Sequence, residues 1–145
     1  MPISSFPETL ELNYADIEFH TNYLIQTPKR GARINLAAVH DLGMLKIERY
    51  GDRPIIYIFD DQNEAQLDIN TSLYADHSCL SYGYSHIIVV RYGHNNGDKR
   101  QVTRMLIKRT PFLITTSRSE AIALAERLHQ EKRDGETLAV SLKLR

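Results

Sequence analysis

The chain has one cysteine, no excess of either charge and no long apolar run, and each of these absences excludes a class of protein. A lone Cys79 cannot close an intramolecular disulfide, which removes the small secreted scaffolds that depend on them. The 18 Lys and Arg are matched by 18 Asp and Glu, so the formal net charge is zero with six histidines neutral. A dedicated nucleic-acid binder carries surplus positive charge, because neutralising phosphates supplies most of its affinity, so nucleic acid is not an expected partner. Disorder needs low apolar content and high net charge; here 42% of residues are hydrophobic and the charges cancel. The longest largely apolar stretches, residues 54–59 and 87–90, are strand length and far short of the roughly 18 residues of a membrane-spanning helix. The first eight residues show no basic region followed by an apolar one, so they do not read as a signal peptide. The expected location is the cytoplasm, with peripheral membrane association left open.

What is present is evenly punctuated secondary structure, with no linker, repeat or low-complexity tract. At 145 residues the chain is the size of one domain, with a core over about residues 9–130 and residues 131–145 as a tail or extra strand. Thr9-Leu10-Glu11-Leu12-Asn13-Tyr14 and Ile17-Glu18-Phe19-His20 alternate with period two, as half-buried strands do. They read as a hairpin around Tyr14-Ala15-Asp16, the second strand continuing through Tyr23-Leu24-Ile25. Lys29-Arg30-Gly31 turns the chain into a helix with Asn35 as its N-cap and an apolar pattern of Leu36, Val39, Leu42, Gly43, Leu45 and Ile47. Gly51 stands where a left-handed C-terminal cap belongs, three residues before Pro54.

Pro54-Ile55-Ile56-Tyr57-Ile58-Phe59 is apolar without alternation, which predicts a central strand covered on both faces. A polar loop, a short helix near residues 71–80, the buried strand His86-Ile87-Ile88-Val89-Val90 and a loop around Gly93 and Gly97 follow. A basic helix at about 98–109, a strand Phe112-Leu113-Ile114-Thr115 and a last helix capped by Ser117 or Ser119 complete the series. Residues 137–144 alternate again, as a strand or a tail. The order is ββαβαβαβα, an α/β fold with a four- to five-stranded, mostly parallel sheet, an N-terminal hairpin and flanking helices.

No phosphate-cradling glycine motif and no G-x-S-x-G elbow follows any strand. Asp60 and Asp61 end the central strand, where α/β proteins place ligand groups, but Asp also suits a turn. They are the candidates of the weakest functional reading, an enzyme, for which no accompanying Lys stands in a suitable place. The histidines (His20, His40, His77, His86, His94 and His129) are scattered without metal-ligand spacing, so neither a metal nor a cofactor is expected. Cys79 has no neighbouring base in the chain to activate it and reads as an inert thiol.

The stretch from 99 to 109 carries Lys99, Arg100, Arg104, Lys108 and Arg109 with no acid. Arg100, Arg104 and Lys108 recur every four residues and so line one helix face, with Val102, Met105 and Leu106 as its apolar stripe. This face fits an acidic protein partner or an anionic membrane surface, or is simply solvated.

Several segments taken together resemble the small bacterial SpoIIAA-like proteins of the STAS superfamily. Ile17-Glu18-Phe19-His20-Thr21-Asn22-Tyr23 is similar to the group's second strand, and Gly51-Asp52-Arg53-Pro54-Ile55-Ile56-Tyr57-Ile58 to its approach to the central strand. Leu67-Asp68-Ile69-Asn70-Thr71-Ser72-Leu73-Tyr74 is similar to the following loop and helix start, and His86-Ile87-Ile88-Val89-Val90 to the next buried strand. Pro111-Phe112-Leu113-Ile114-Thr115-Thr116-Ser117-Arg118-Ser119-Glu120-Ala121-Ile122 resembles the family's ending. The resemblance implies a non-enzymatic regulatory module like the anti-sigma-factor antagonists. Its relation to CRAL-TRIO-like lipid carriers implies an apolar-ligand alternative. The family's D-S-S-G-type phosphorylation motif is missing; Thr71 and Ser72 are the nearest substitutes, where helix N–H groups would stabilise a phosphate.

The expectation is therefore a regulatory or binding module acting through a protein partner or membrane surface by Lys99, Arg100, Arg104 and Lys108. The alternative is a lipid carrier with a pocket lined by Tyr57, Phe59, Leu73 and Met105. A homodimer is left open.

Overall fold

The computed structural model describes residues 6–67, 71, 75–92 and 110–143, with side chains described no further than residue 134 in the last helix. The chain opens with β1 (Glu8–Glu11), β2 (Ala15–Phe19) and β3 (Tyr23–Pro28), then β4 (Arg33–Ile34), α1 (Leu36–Tyr50), β5 (Ile55–Asp60) and β6 (Gln66–Leu67). It continues through α2 (Ala75–Tyr82), β7 (Tyr84–Val90), β8 (Phe112–Thr115) and α3 (Arg118–Lys143). The described main sheet has six strands in the order β1-β2-β3-β5-β7-β8. β1, β2 and β3 pair antiparallel, and β3, β5, β7 and β8 pair parallel.

The α/β class holds, but the sheet is larger and more mixed than the sequence pattern predicts. The second strand does not continue through Tyr23-Leu24-Ile25: it stops at Phe19, and His20 N–H donates to Tyr23 O to close a turn. β3 then runs back beside β2, giving a meander of three strands. Two further strands escaped the pattern because each is two residues long: β4 and β6 pair in parallel as a separate ribbon.

Alternation decides which side chains are buried. In β2, Ala15, Ile17 and Phe19 point into the core below α1, while Asp16 and Glu18 point the other way. β5 feeds both faces: Ile55 and Phe59 join Ala38, Leu42 and Tyr50 of α1, whereas Ile56 and Ile58 join Ala121 and Ala125 of α3. The central strand is thus covered on both sides, as its unbroken apolar run predicts, between layers formed by α1 and α3.

The caps of α1 are those expected. Asn35 Oδ1 accepts from Ala38 N–H at 2.9 Å, and Gly51 takes φ 64° with its N–H on Ile47 O. The buried face of α1 is shifted, however: Ala38, Leu42, Gly43, Lys46 and Tyr50 are inside, while Leu36, Met44 and Ile47 are exposed. The expected terminal strand is also corrected, since the helix begun at Arg118 carries on to Lys143. Glu131, Lys132, Arg133, Glu136, Leu138 and Ala139 are good helix formers, no proline interrupts them, and continuing a formed helix is easier than starting a new element.

Candidate functional site

Because β3, β5, β7 and β8 are parallel and adjacent, their carboxyl ends gather along one edge of the sheet. Ligand groups of open α/β sheets lie outside these ends. Here the edge presents Thr27 and Pro28 from β3, Asp60 and Asp61 from β5, Arg91 and Tyr92 after β7, and Thr115 to Arg118 leading from β8 into α3.

Both aspartates are withdrawn from solvent: Asp60 is 0% exposed and Asp61 1%. Asp60 Oδ2 accepts from Arg118 Nη1 at 2.8 Å, and the same nitrogen lies 3.3 Å from Thr27 Oγ1. Arg118 Nη2 also contacts Glu18 of β2. One guanidinium therefore joins β2, β3, β5 and the start of α3. A cation at a helix N-terminus opposes the helix dipole, so the two carboxylates explain why an arginine stands there. Burial pushes the Asp60 carboxyl up, against hydrogen bonds from Tyr92 and the Gln62 backbone that pull it down. The Tyr92 hydroxyl is in turn pushed up to about 12 by burial and by Asp60. Asp61 Oδ1 accepts from Ala65 N–H at 2.9 Å, fixing the turn that carries Glu64 at φ 51°.

The start of α3 is fixed just as firmly. Ser117 Oγ accepts from Glu120 N–H at 3.2 Å, and Glu120 Oε2 accepts from Thr116 Oγ1 at 2.9 Å and Thr116 N–H at 3.3 Å. Ser117 is thus the N-cap rather than Ser119, and Glu120 reaches back past it to tie down Thr116, a variant of the S-x-x-E cap.

The other expected site residues divide into those placed and those outside the described residues. Thr71 is 4% exposed, and its hydroxyl has no hydrogen-bond partner among the described residues. Ser72 lies outside the described residues, as do Leu73 and Met105 of the expected apolar pocket and all of Lys99, Arg100, Arg104 and Lys108. Tyr57 and Phe59, the remaining pocket residues, belong to the packed core under α1. Their rings are 6.4 Å apart edge-on, and the Tyr57 hydroxyl donates to Gln26 Oε1. Asp60 is the last residue of β5 rather than part of a loop, and neither it nor Asp61 adds surface acidity.

The basic side chains at this edge remain outside. Arg30 and Arg33 follow β3 and are exposed, and Arg91 is half-buried after β7. Sequence reasoning missed Glu18, Thr27, Arg118 and Tyr92. Only Arg118 left a signal, a base directly after a helix-capping serine.

Among the described residues no group of three or more His, Cys, Asp or Glu is placed to hold a metal ion, and no helix is long and apolar enough to cross a membrane. No protein-family model, curated protein or solved structure matches the chain.

Proposed function

We propose that the protein is a non-enzymatic, STAS-like regulatory module that docks a negatively charged surface, an acidic protein face or an anionic membrane, at the carboxyl edge of its parallel strands. The observation that carries this reading is the segregation of charge by burial. Asp60 and Asp61 are inside the molecule, bound to Arg118 and to the Ala65 backbone, while Arg30 and Arg33 are exposed at the same edge, beside the exposed acids Glu64 and Glu120. The sequence adds a basic run, Lys99, Arg100, Arg104 and Lys108, between β7 and β8. Carboxylates tied into a buried pair and a turn serve as scaffold; they hold the loops that carry the bases. The resemblance to SpoIIAA-like proteins, which work by docking, points the same way, and the sheet of parallel strands with covering helices is compatible with it.

The test is co-sedimentation with vesicles of phosphatidylglycerol and phosphatidylcholine, alongside retention on immobilised poly-glutamate, for the wild type and the paired variant Arg100→Glu, Arg104→Glu. A basic side chain near an anionic surface is worth about 1 kcal/mol, so reversing two weakens binding to at least one probe by more than about tenfold. Binding of both probes unchanged by the reversal overturns the reading.

A further inference from the structure

A second feature lies at the opposite end of the sheet, away from the edge just described. The amino ends of β3, β5 and β7 and the later turns of α3 enclose a cleft of about 280 Å³. Pro54, Ile55, Ile56 and Leu128 supply its apolar surface, and Asn22 and Ser85 are its neutral polar groups. Its other lining residues are Arg53, His86, His129, Lys132 and Arg133, all basic. No carboxylate lines it among the described residues; Glu131, on the same turn of α3, acts on His86 from outside the lining.

Such a set is not an accident of one element. Leu128, His129, Lys132 and Arg133 are spaced one and four residues apart, so a single face of α3 presents all four. Arg53 comes from the turn before β5 and is held in place: a guanidinium nitrogen donates to Thr21 O, and its carbon lies 5.4 Å from the centre of the Tyr50 ring. His86 comes from β7, with Nδ1 3.0 Å from Ser85 Oγ. Burial and Lys132 both hold the His86 imidazole below its usual range, the sign of a positive, partly dry environment. Beneath the same turn Lys46 is 0% exposed, its ammonium donating to Gly51 O at 3.0 Å, and burial lowers its pKa against the attraction of Asp52, with a smaller repulsion from Arg53.

We infer that this cleft is a binding site for a small amphipathic anion, a carboxylate or phosphate monoester on a compact apolar body. The acidic head meets Arg53, Lys132 and Arg133, and the body lies on Pro54, Ile56 and Leu128. Its volume is at the small end of ligand pockets, which run from roughly 300 to 1,000 Å³, so a diacyl lipid does not fit inside it. This site is independent of the docking edge, and neither depends on the other's occupancy.

The experiment is a heteronuclear NMR titration of the full chain with octanoate, phenyl phosphate, inorganic phosphate and the neutral analogue 1-octanol. Saturable shifts at Asn22, Ser85, His86 and His129 are expected with octanoate, with phenyl phosphate or with both, and the pattern tells which head group is preferred. The variant Lys132→Glu, Arg133→Glu, altered only at exposed helix positions, is expected to bind at least about tenfold more weakly, since charge-assisted contacts are lost and reversed. Lys132→Gln, which removes charge without reversing it, gives an intermediate loss. The inference is overturned if neither acid gives saturable shifts at these residues, or if every acid that binds is matched by its own control, 1-octanol for octanoate and inorganic phosphate for phenyl phosphate. It is also overturned if the charge-reversed variant binds like the wild type. Vesicle binding is measured on the same variant and is expected to be unchanged, so failure here is separable from failure at the other edge.

Discussion

Gly43 and Arg118 show how much a single position decides in this molecule. A Cβ built on Gly43 would lie 2.2 Å from Cδ1 of the Tyr82 ring, so the last turn of α2 packs against bare backbone of α1. Gly43→Ala is expected to cost about 1–3 kcal/mol in urea unfolding, as overpacking does, and Tyr82→Ala in the same chain is expected to recover part of that loss. Arg118→Met leaves the buried Asp60 carboxylate without its cation and is expected to cost about 2–3 kcal/mol. Asp60→Asn in that background then costs less than it does alone, a coupling above about 1 kcal/mol in a double-mutant cycle. Additive losses would show that the pair carries no energy. At this scale the sequence was only partly legible. Leu36, Met44 and Ile47 are the large apolar residues of α1 that stay outside, whereas Lys46 is buried. A hydropathy pattern cannot anticipate a lysine turned inward to donate to Gly51 O at its helix C-terminus, where a cation suits the dipole.

Elements with strong local signals are where pattern and structure agree. Asn35 and Gly51 bound α1 as capping chemistry requires, and β5 is covered on both faces as an unbroken apolar run implies. Short or ambiguous elements are where they part. β4 and β6 have two residues each and no period to detect, and the break between β2 and β3 falls in His20-Thr21-Asn22, which carries neither glycine nor proline. The alternation near the end of α3 fits two periods at once, and extension of an existing helix prevails. The start of α3 offers the test at this scale. Ser117→Ala removes the acceptor for Glu120 N–H and is expected to lower stability by about 1 kcal/mol, with Glu120→Ala costing a similar amount and the pair less than the sum. A negligible effect of both, by thermal or urea melts, would show that the cap does not hold the helix.

For the whole molecule, zero net charge conceals an uneven distribution that only burial makes visible. The carboxyl edge buries Asp60 and Asp61 and exposes Arg30 and Arg33 beside Glu64 and Glu120, while the amino edge holds a cleft lined by bases. The candidate edge was legible from Asp60 and Asp61 as strand-end residues, but their role was not, because Arg118 is 58 residues from Asp60 in the chain. The fold also sets a pH dependence. Burial holds both His20 and His86 below the usual imidazole value, so they fold neutral and the unfolded chain binds more protons. Stability from these groups is complete above the unfolded value of about 6.5 and falls as pH drops through it, so the melting temperature is expected to decline between about pH 7.5 and 5.5. His20→Gln with His86→Gln flattens that decline; an equal decline in the variant would assign it to other groups. The Glu8 carboxyl, held low by its hydrogen bond to Arg49, acts in a separate window, its contribution present above its ordinary value near 4.5 and lost as pH falls further.

Docking at the carboxyl edge is tested most directly by amide hydrogen exchange, with and without phosphatidylglycerol vesicles and, separately, poly-glutamate. With at least one of these probes, exchange is expected to slow at residues 29–34, 61–67 and 91–92 while the amino ends of the same strands are unchanged. Unaltered exchange along that edge with both probes, or protection confined to other parts of the chain, would contradict the account.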